Sequence, residues 1–135
     1  MLGRILHSLR RKKEPDSRKY DVIVDFVFIN GLFFISIKNT SDKPVFKVSI
    51  KFDKKLIGIE GSKEISALPL FHNIEFLAPQ KEIRTFMDTS ASYFRRGGPT
   101  EITARIAYQD STGKKYTTTI RHNLEIYQEI GYIET

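Results

Sequence analysis

Apolar residues recur at two different periods along this chain. Over the first dozen residues the repeat is close to 3.6, and from Tyr20 onward it is two. Leu2, Ile5, Leu6 and Leu9 fall at i, i+3, i+4 and i+7, one stripe of a helical wheel, with Arg4, Ser8 and Arg11 elsewhere on it. The spacing predicts a short helix that stops near Lys13, because Pro15 disfavours helical geometry at Glu14. Lys12 and Lys13 would then sit at its C-terminal end, where the macrodipole favours positive charge. Glu14 to Lys19 is polar apart from Pro15 and reads as a linker.

The alternating part begins with Val22, Val24, Phe26 and Phe28 on one face of a first strand. Asn30-Gly31 follows at once, and both residues tolerate the positive φ of a tight hairpin turn. The return strand, Leu32 to Lys38, would bury Phe33, Ile35 and Ile37, and turn formers gather from Asn39 to Pro44. From Val45 to Phe52 the alternation predicts Phe46, Val48, Ile50 and Phe52 facing in, with Lys47, Ser49 and Lys51 facing out. Short strands are expected near Leu56–Glu60 and Glu64–Leu68, and Ala78-Pro79-Gln80-Lys81 turns into a strand Glu82–Met87. Asp88–Pro99 is the longest candidate loop, with a helical turn around Ser90–Phe94. Glu101–Tyr108 points Ile102, Ala104, Ile106 and Tyr108 inward, Asp110–Gly113 makes a turn, and Lys115–His122 returns. The stretch after Asn123 either extends that strand or forms a short helix.

About seven short strands with turn signals every 8–12 residues describe an all-β fold, an antiparallel sandwich of two sheets. The domain reading is a basic amphipathic helix and linker over residues 1–19, then one sandwich domain over 20–135. Ten Phe and six Tyr supply aromatic bulk for such a core without any Trp. No cysteine occurs, so disulfides, thiolate metal sites and cysteine nucleophiles are excluded. Charge is divided unevenly: Arg4, Arg10, Arg11, Lys12, Lys13, Arg18 and Lys19 against Glu14 and Asp16 account for +5 of the net +6. The rest of the chain is close to neutral. The apolar run at the N-terminus is too interrupted for a secretory signal, and no stretch reaches the roughly 18 apolar residues of a membrane span. A cytoplasmic protein is expected, with peripheral attachment to a membrane as the alternative.

The run Ile35–Ile50, with Asn39-Thr40-Ser41 followed by an alternating strand, resembles bacterial and archaeal immunoglobulin-like sandwich domains of the cell-adhesion-related, fibronectin-like kind. Leu77–Ile83 and Ile106–Tyr116 look like that family's pre-strand turn and final hairpin. The resemblance covers about residues 20–122 and implies an immunoglobulin-like sandwich; its motifs are turn chemistry and speak little of function. Ser41 stands where the family usually has Gly, and the Asp88–Pro99 insertion departs from it.

The candidate partner- or membrane-binding residues are Leu2, Arg4, Ile5, Leu6, Leu9, Arg10, Arg11, Lys12 and Lys13. A basic helix with a narrow apolar stripe can lie in a membrane interface, dock in a partner's groove, or pack onto its own sandwich. Tyr93, Phe94, Arg95 and Arg96 are a candidate loop contact able to stack a base and hold phosphate. The plainer expectation is that the aromatics plug the end of the sandwich while the arginines stay solvated. His72 and His122 with Glu75, Asp88 or Glu125 show no metal-ligand spacing, Gly-x-Ser-x-Gly is absent, and Gly97-Gly98-Pro99 lacks the Lys-Ser/Thr of a phosphate loop. The expectation is a protein with no catalytic, metal or cofactor site: a non-enzymatic protein-interaction module, an adaptor or complex subunit, docking through its basic helix and a sandwich edge or loop. The alternatives are a peripheral protein on an anionic membrane surface and a nucleic-acid-binding accessory protein. No small-molecule substrate is evident.

Overall fold

The computed structural model describes residues 20–130. The expected helix and linker over 1–19 lie outside the described residues, and so do the candidate contacts from Leu2 to Lys13. Nine strands run β1 Val22–Ile29, β2 Leu32–Asn39, β3 Val45–Phe52, β4 Ile57–Gly58, β5 Lys63–Glu64, β6 Ile74–Leu77, β7 Glu82–Thr89, β8 Glu101–Gln109 and β9 Lys115–Asn123. Among the described residues are also three short helices, α1 Pro69–His72, α2 Ser90–Arg95 and α3 Glu125–Ile130, and one 3₁₀ turn at Ile65–Ala67. One sheet has the order β1-β2-β7, a second the order β6-β3-β8-β9, and β4 pairs only with β5. Every pairing is antiparallel. A single core draws on both larger sheets, a layout compatible with a sandwich.

The turns form where their chemistry asks for them. Asn30 and Gly31 both take positive φ, 49° and 80°, and close the β1–β2 hairpin. Asn39 is buried, and its amide donates to the carbonyls of Lys43, Leu77 and Ala78 at 2.7, 3.1 and 3.2 Å. Its Oδ1 accepts from the Ser41 amide at 3.0 Å and from the Ser41 hydroxyl at 2.8 Å, so Ser41 completes the turn with a bond that glycine would not supply. At the β8–β9 turn the Asp110 carboxylate accepts from the Thr112 hydroxyl, the Lys114 and Thr112 amides and the Tyr116 hydroxyl. These bonds, the Thr112 hydroxyl first, hold its carboxyl down to about 2.

The inward faces of β1, β2 and β8 follow the alternation: Val22, Val24, Phe26, Phe33, Ile35, Ile37, Ile102, Ala104, Ile106 and Tyr108 are buried. In β3 the phase changes. Val45 and Val48 are buried three positions apart, and Phe46 turns outward to meet Phe76 of β6, ring centres 5.4 Å apart. The cause is a bulge: the β3–β8 register shifts between Phe46 and Ser49, and Lys47 takes a φ of 51°. Phe46 therefore does not face in as the alternation predicts, whereas Val45 does. A second register shift, opposite Phe33/Phe34 of β2, leaves Met87 as the extra residue of β7. The strands expected at Leu56–Glu60 and Glu64–Leu68 reduce to two-residue β4 and β5, and the end of the second becomes the 3₁₀ turn. After Asn123 the chain turns into α3.

Candidate functional site

Four strands end the two larger sheets, and the structure treats their outer edges differently. On β1 the backbone of Val24 and Phe26 faces away from β2. The Val24 carbonyl accepts from His122 Nε2 at 3.0 Å, and the Phe26 carbonyl from the Tyr127 hydroxyl at 3.3 Å. The Phe26 amide donates to the neighbouring Asp25 carboxylate at 2.9 Å. This edge is closed by side chains, one way a protein prevents pairing with another chain. A carbonyl only accepts, so His122 carries its proton on Nε2. Burial lowers its pKa and raises that of Tyr127.

The C-terminal half of β7 is also covered. The Ile59 amide donates to the Met87 carbonyl at 2.9 Å, and the Glu60 amide to the Asp88 carboxylate at 3.1 Å. Gly58 permits this approach, since a Cβ there would sit 2.0 Å from the Met87 carbonyl oxygen. Asp88 is fully buried and forms an ion pair with Arg96, whose Nε also donates to Ser92 Oγ at 3.3 Å and whose Nη2 donates to the Ile57 carbonyl at 3.3 Å. Thr89 caps α2 by accepting from the Ser92 amide at 3.1 Å. This capped turn sets Tyr93 into the core with its hydroxyl donating to the Pro99 carbonyl and its ring over Gly98, where a Cβ would meet the ring at 2.6 Å. Burial pushes the Tyr93 phenol upward.

The loop residues Tyr93, Phe94, Arg95 and Arg96 are thus not presented together. Tyr93 is buried and Phe94 half-buried against Phe33 at 5.6 Å, while Arg95 is exposed. Arg96 is exposed as expected, and its guanidinium is also committed to Asp88. His122 lies against Phe26 at 5.0 Å, and among the described residues no group of three or more His, Asp or Glu is placed to hold a metal ion.

β6, the other end of the second sheet, is only four residues long, and two longer stretches of edge have no strand beside them among the described residues. From Glu82 to Phe86, β7 has β2 on one side and no described strand on the other. The exposed residues beside it are Phe86 and the pair Glu82–Arg84, 2.9 Å apart. Ser36 donates to Glu82 at 2.5 Å, and this bond, with Arg84, holds the Glu82 carboxyl below its usual value.

The longer open edge is β9, nine residues in unbroken register with β8. The Leu124 amide bonds back to the Thr100 carbonyl, so the even-numbered residues of β9 face β8. The backbone of Lys115, Thr117, Thr119 and Arg121 accordingly faces outward, and among the described residues nothing hydrogen-bonds to it. The same four side chains lie on the outer face of the sheet and are exposed, beside Ala107 and Arg105 of β8 and Ser49 and Lys51 of β3. Ser49, Lys51, Arg105, Ala107 and Thr117 line a shallow depression there. Lys51, Arg105, Lys115 and Arg121 have no carboxylate within ion-pair distance among the described residues. Little in the linear order of residues points to this surface, because its cations come from three strands whose order only the fold establishes.

Among the described residues no helix is long and apolar enough to cross a membrane. No curated protein matches the chain. The family model described as "Domain of unknown function (DUF8453)" matches residues 4–128, nearly the whole chain, and the protein belongs to that family.

Proposed function

We propose that this domain is a non-enzymatic protein-interaction module which takes up an extended segment of a partner along β9. The observation that carries this is the contrast between edges. β1 is sealed by His122, Tyr127 and Asp25, β7 is half covered by the 57–60 segment, and β6 is only four residues long. β9 is long, regular and rich in Thr, with outward backbone groups at every second residue. A strand added there gains main-chain hydrogen bonds for affinity, while alternate side chains give specificity. The two antiparallel sheets over one core support the immunoglobulin-like reading of the fold, in which such edges lie at the margin of each sheet. The basic N-terminal stripe, Leu2 to Lys13, adds a second contact in this reading. The family model takes in that stripe from Arg4 onward.

The test is hydrogen exchange on the full chain, followed by selection from a library of displayed linear peptides. In the free protein the amides of Thr117, Thr119 and Arg121 should exchange fast while those of Thr118 and Ile120 exchange slowly. A selected peptide should slow the first group, and Thr119→Pro should abolish its binding, because the proline removes an outward donor and leaves the β8 ladder intact. Slow exchange of Thr117 and Thr119 in the free protein, or equal binding by Thr119→Pro, would overturn the proposal.

A further inference from the structure

We infer that the segment received by β9 is acidic, with carboxylates at alternate positions on its outward side; this rests on the strand-addition reading above. The register of β3, β8 and β9 arranges the outer face in rows across the strands. Lys51, Arg105 and Thr119 form one row, Ser49, Ala107 and Thr117 the next, and Arg121 lies beside Thr103 on the other side. Lys115 stands at the end of β9 beside Gln109. The cations therefore bracket a strip of small residues at the open edge. Asp53, whose carboxylate accepts from the Thr103 amide at 2.9 Å, and the exposed Glu101 border Arg121 on the same face, so the cations Lys51, Arg105, Lys115 and Arg121 outnumber the carboxylates there without excluding them.

A strand added to β9 would lie about 4.8 Å from it, and its outward side chains would fall in these same rows. A carboxylate opposite Arg121 meets a guanidinium directly. One opposite Thr119 has only a small side chain between it and Arg105, within reach of a long arginine. One opposite Lys115 meets an ammonium. Opposite Thr117 the row offers Ala107 and Ser49 and no charge. The surface thus favours negative charge opposite Arg121, Thr119 and Lys115, all on the one face that an extended peptide presents at every second residue, and calls for none opposite Thr117. Opposite-charge pairs across strands are favourable, and like charges directly opposite are unfavourable.

A second observation concerns the inward side. Thr118 of β9 is buried, and its Oγ1 is the one side-chain oxygen or nitrogen among the described buried atoms without a hydrogen-bond partner. A buried hydroxyl left unpaired is unfavourable. An incoming strand places a residue beside Thr118 on the inner face, and a Ser, Thr or Asn there would satisfy it. The inferred ligand alternates acidic residues outward with a small hydroxyl or amide residue at the inward position next to Thr118.

The experiment uses the full chain and three probes: a fluorescent peptide alternating Glu with Thr, the same peptide with Gln for every Glu, and a single-stranded oligonucleotide of equal negative charge. Anisotropy titrations at moderate salt should show the Glu peptide binding at least tenfold more tightly than the Gln peptide. The double substitution Arg105→Gln, Arg121→Gln should erase that difference while the thermal transition stays unchanged. The Glu peptide should also slow exchange of the Thr117 and Thr119 amides. Equal binding of both peptides with protection of those amides would overturn the acidic preference and leave strand addition standing. Binding of the oligonucleotide in preference to the Glu peptide would assign the face to nucleic acid and overturn the inference. Binding of the Glu peptide without amide protection, or of neither peptide, would overturn both.

Discussion

Replacing Arg96 by Met strands the buried Asp88 carboxylate. Asp88 is 0% exposed, and it keeps two amide donors on Oδ1, Glu60 at 3.1 Å and Thr89 at 2.8 Å. Its Oδ2 accepts from Arg96. Removing one partner of a fully buried pair costs about 3–5 kcal/mol, because a charge is left in a poorly solvated site. The Arg96 side chain is 28% exposed, so water can enter after its removal, and the two amide bonds remain. A loss of roughly 2–3 kcal/mol follows. For a domain of this length that lowers Tm by about 6–12 °C. Asp88→Asn on its own keeps an oxygen to accept from the Glu60 and Thr89 amides but turns a carboxamide NH2, a donor, toward the donor guanidinium. In the double variant no charge is stranded, so it should be more stable than the two single losses added together, by about 1–2 kcal/mol. Urea titrations followed by tyrosine fluorescence, the chain having no Trp, measure all four corners of the cycle. Arg96→Met should also speed exchange of the Ile59 amide, since Arg96 bonds the Ile57 carbonyl and holds that segment over β7. A loss under about 0.5 kcal/mol for Arg96→Met, or strict additivity in the cycle, would refute the account of this pair as the clamp on the 57–60 segment.

Two other outcomes are expected. Gly58→Ala brings a Cβ to 2.0 Å from the Met87 carbonyl oxygen and 2.8 Å from Ile65 Cγ1; the backbone must shift, and a destabilisation of about 3 kcal/mol or more should appear in the same titration. His122 has its pKa lowered by burial, so between its native value and about 6.5 the unfolded chain binds a proton that the native chain does not. Its contribution is complete above about pH 6.5 and falls away as pH drops through the native value. Tm should decline from pH 7.5 to 5.5, and His122→Gln, which can still donate to Val24, should be flat across that window. Both proteins should lose stability at lower pH as Glu82 and Asp110, whose pKa values are lowered, take up protons.

What could be read from the chain and what could not divide along a physical line. Asn30-Gly31 and the alternation in β1, β2 and β8 were legible because a hairpin turn and a half-buried strand are specified by neighbours in sequence. The Val45–Phe52 run looked equally regular, yet Phe46 faces out, because the bulge at Lys47 is imposed by how β3 must meet β8. Nothing near Lys47 signals a positive φ. The clamp is half legible: the helical turn expected around Ser90–Phe94 is α2, and Thr89 and Ser92 have the spacing of its cap. The pairing of Asp88 with Arg96 follows from that cap, since residue 96 ends the same short helix. The cationic face shows the limit most clearly. Polar phases of three strands supplied Lys51, Arg105, Lys115 and Arg121 as outward residues, but their sequence positions span 70 residues. Only the order β6-β3-β8-β9 makes them neighbours and leaves β9 at the margin. Away from the bulge, local chemistry fixes which way a side chain points, whereas strand order decides which of those side chains act together. The proposed site is a property of the second kind, so exchange of the Thr117 and Thr119 amides probes the sheet margin directly, where no single motif would serve.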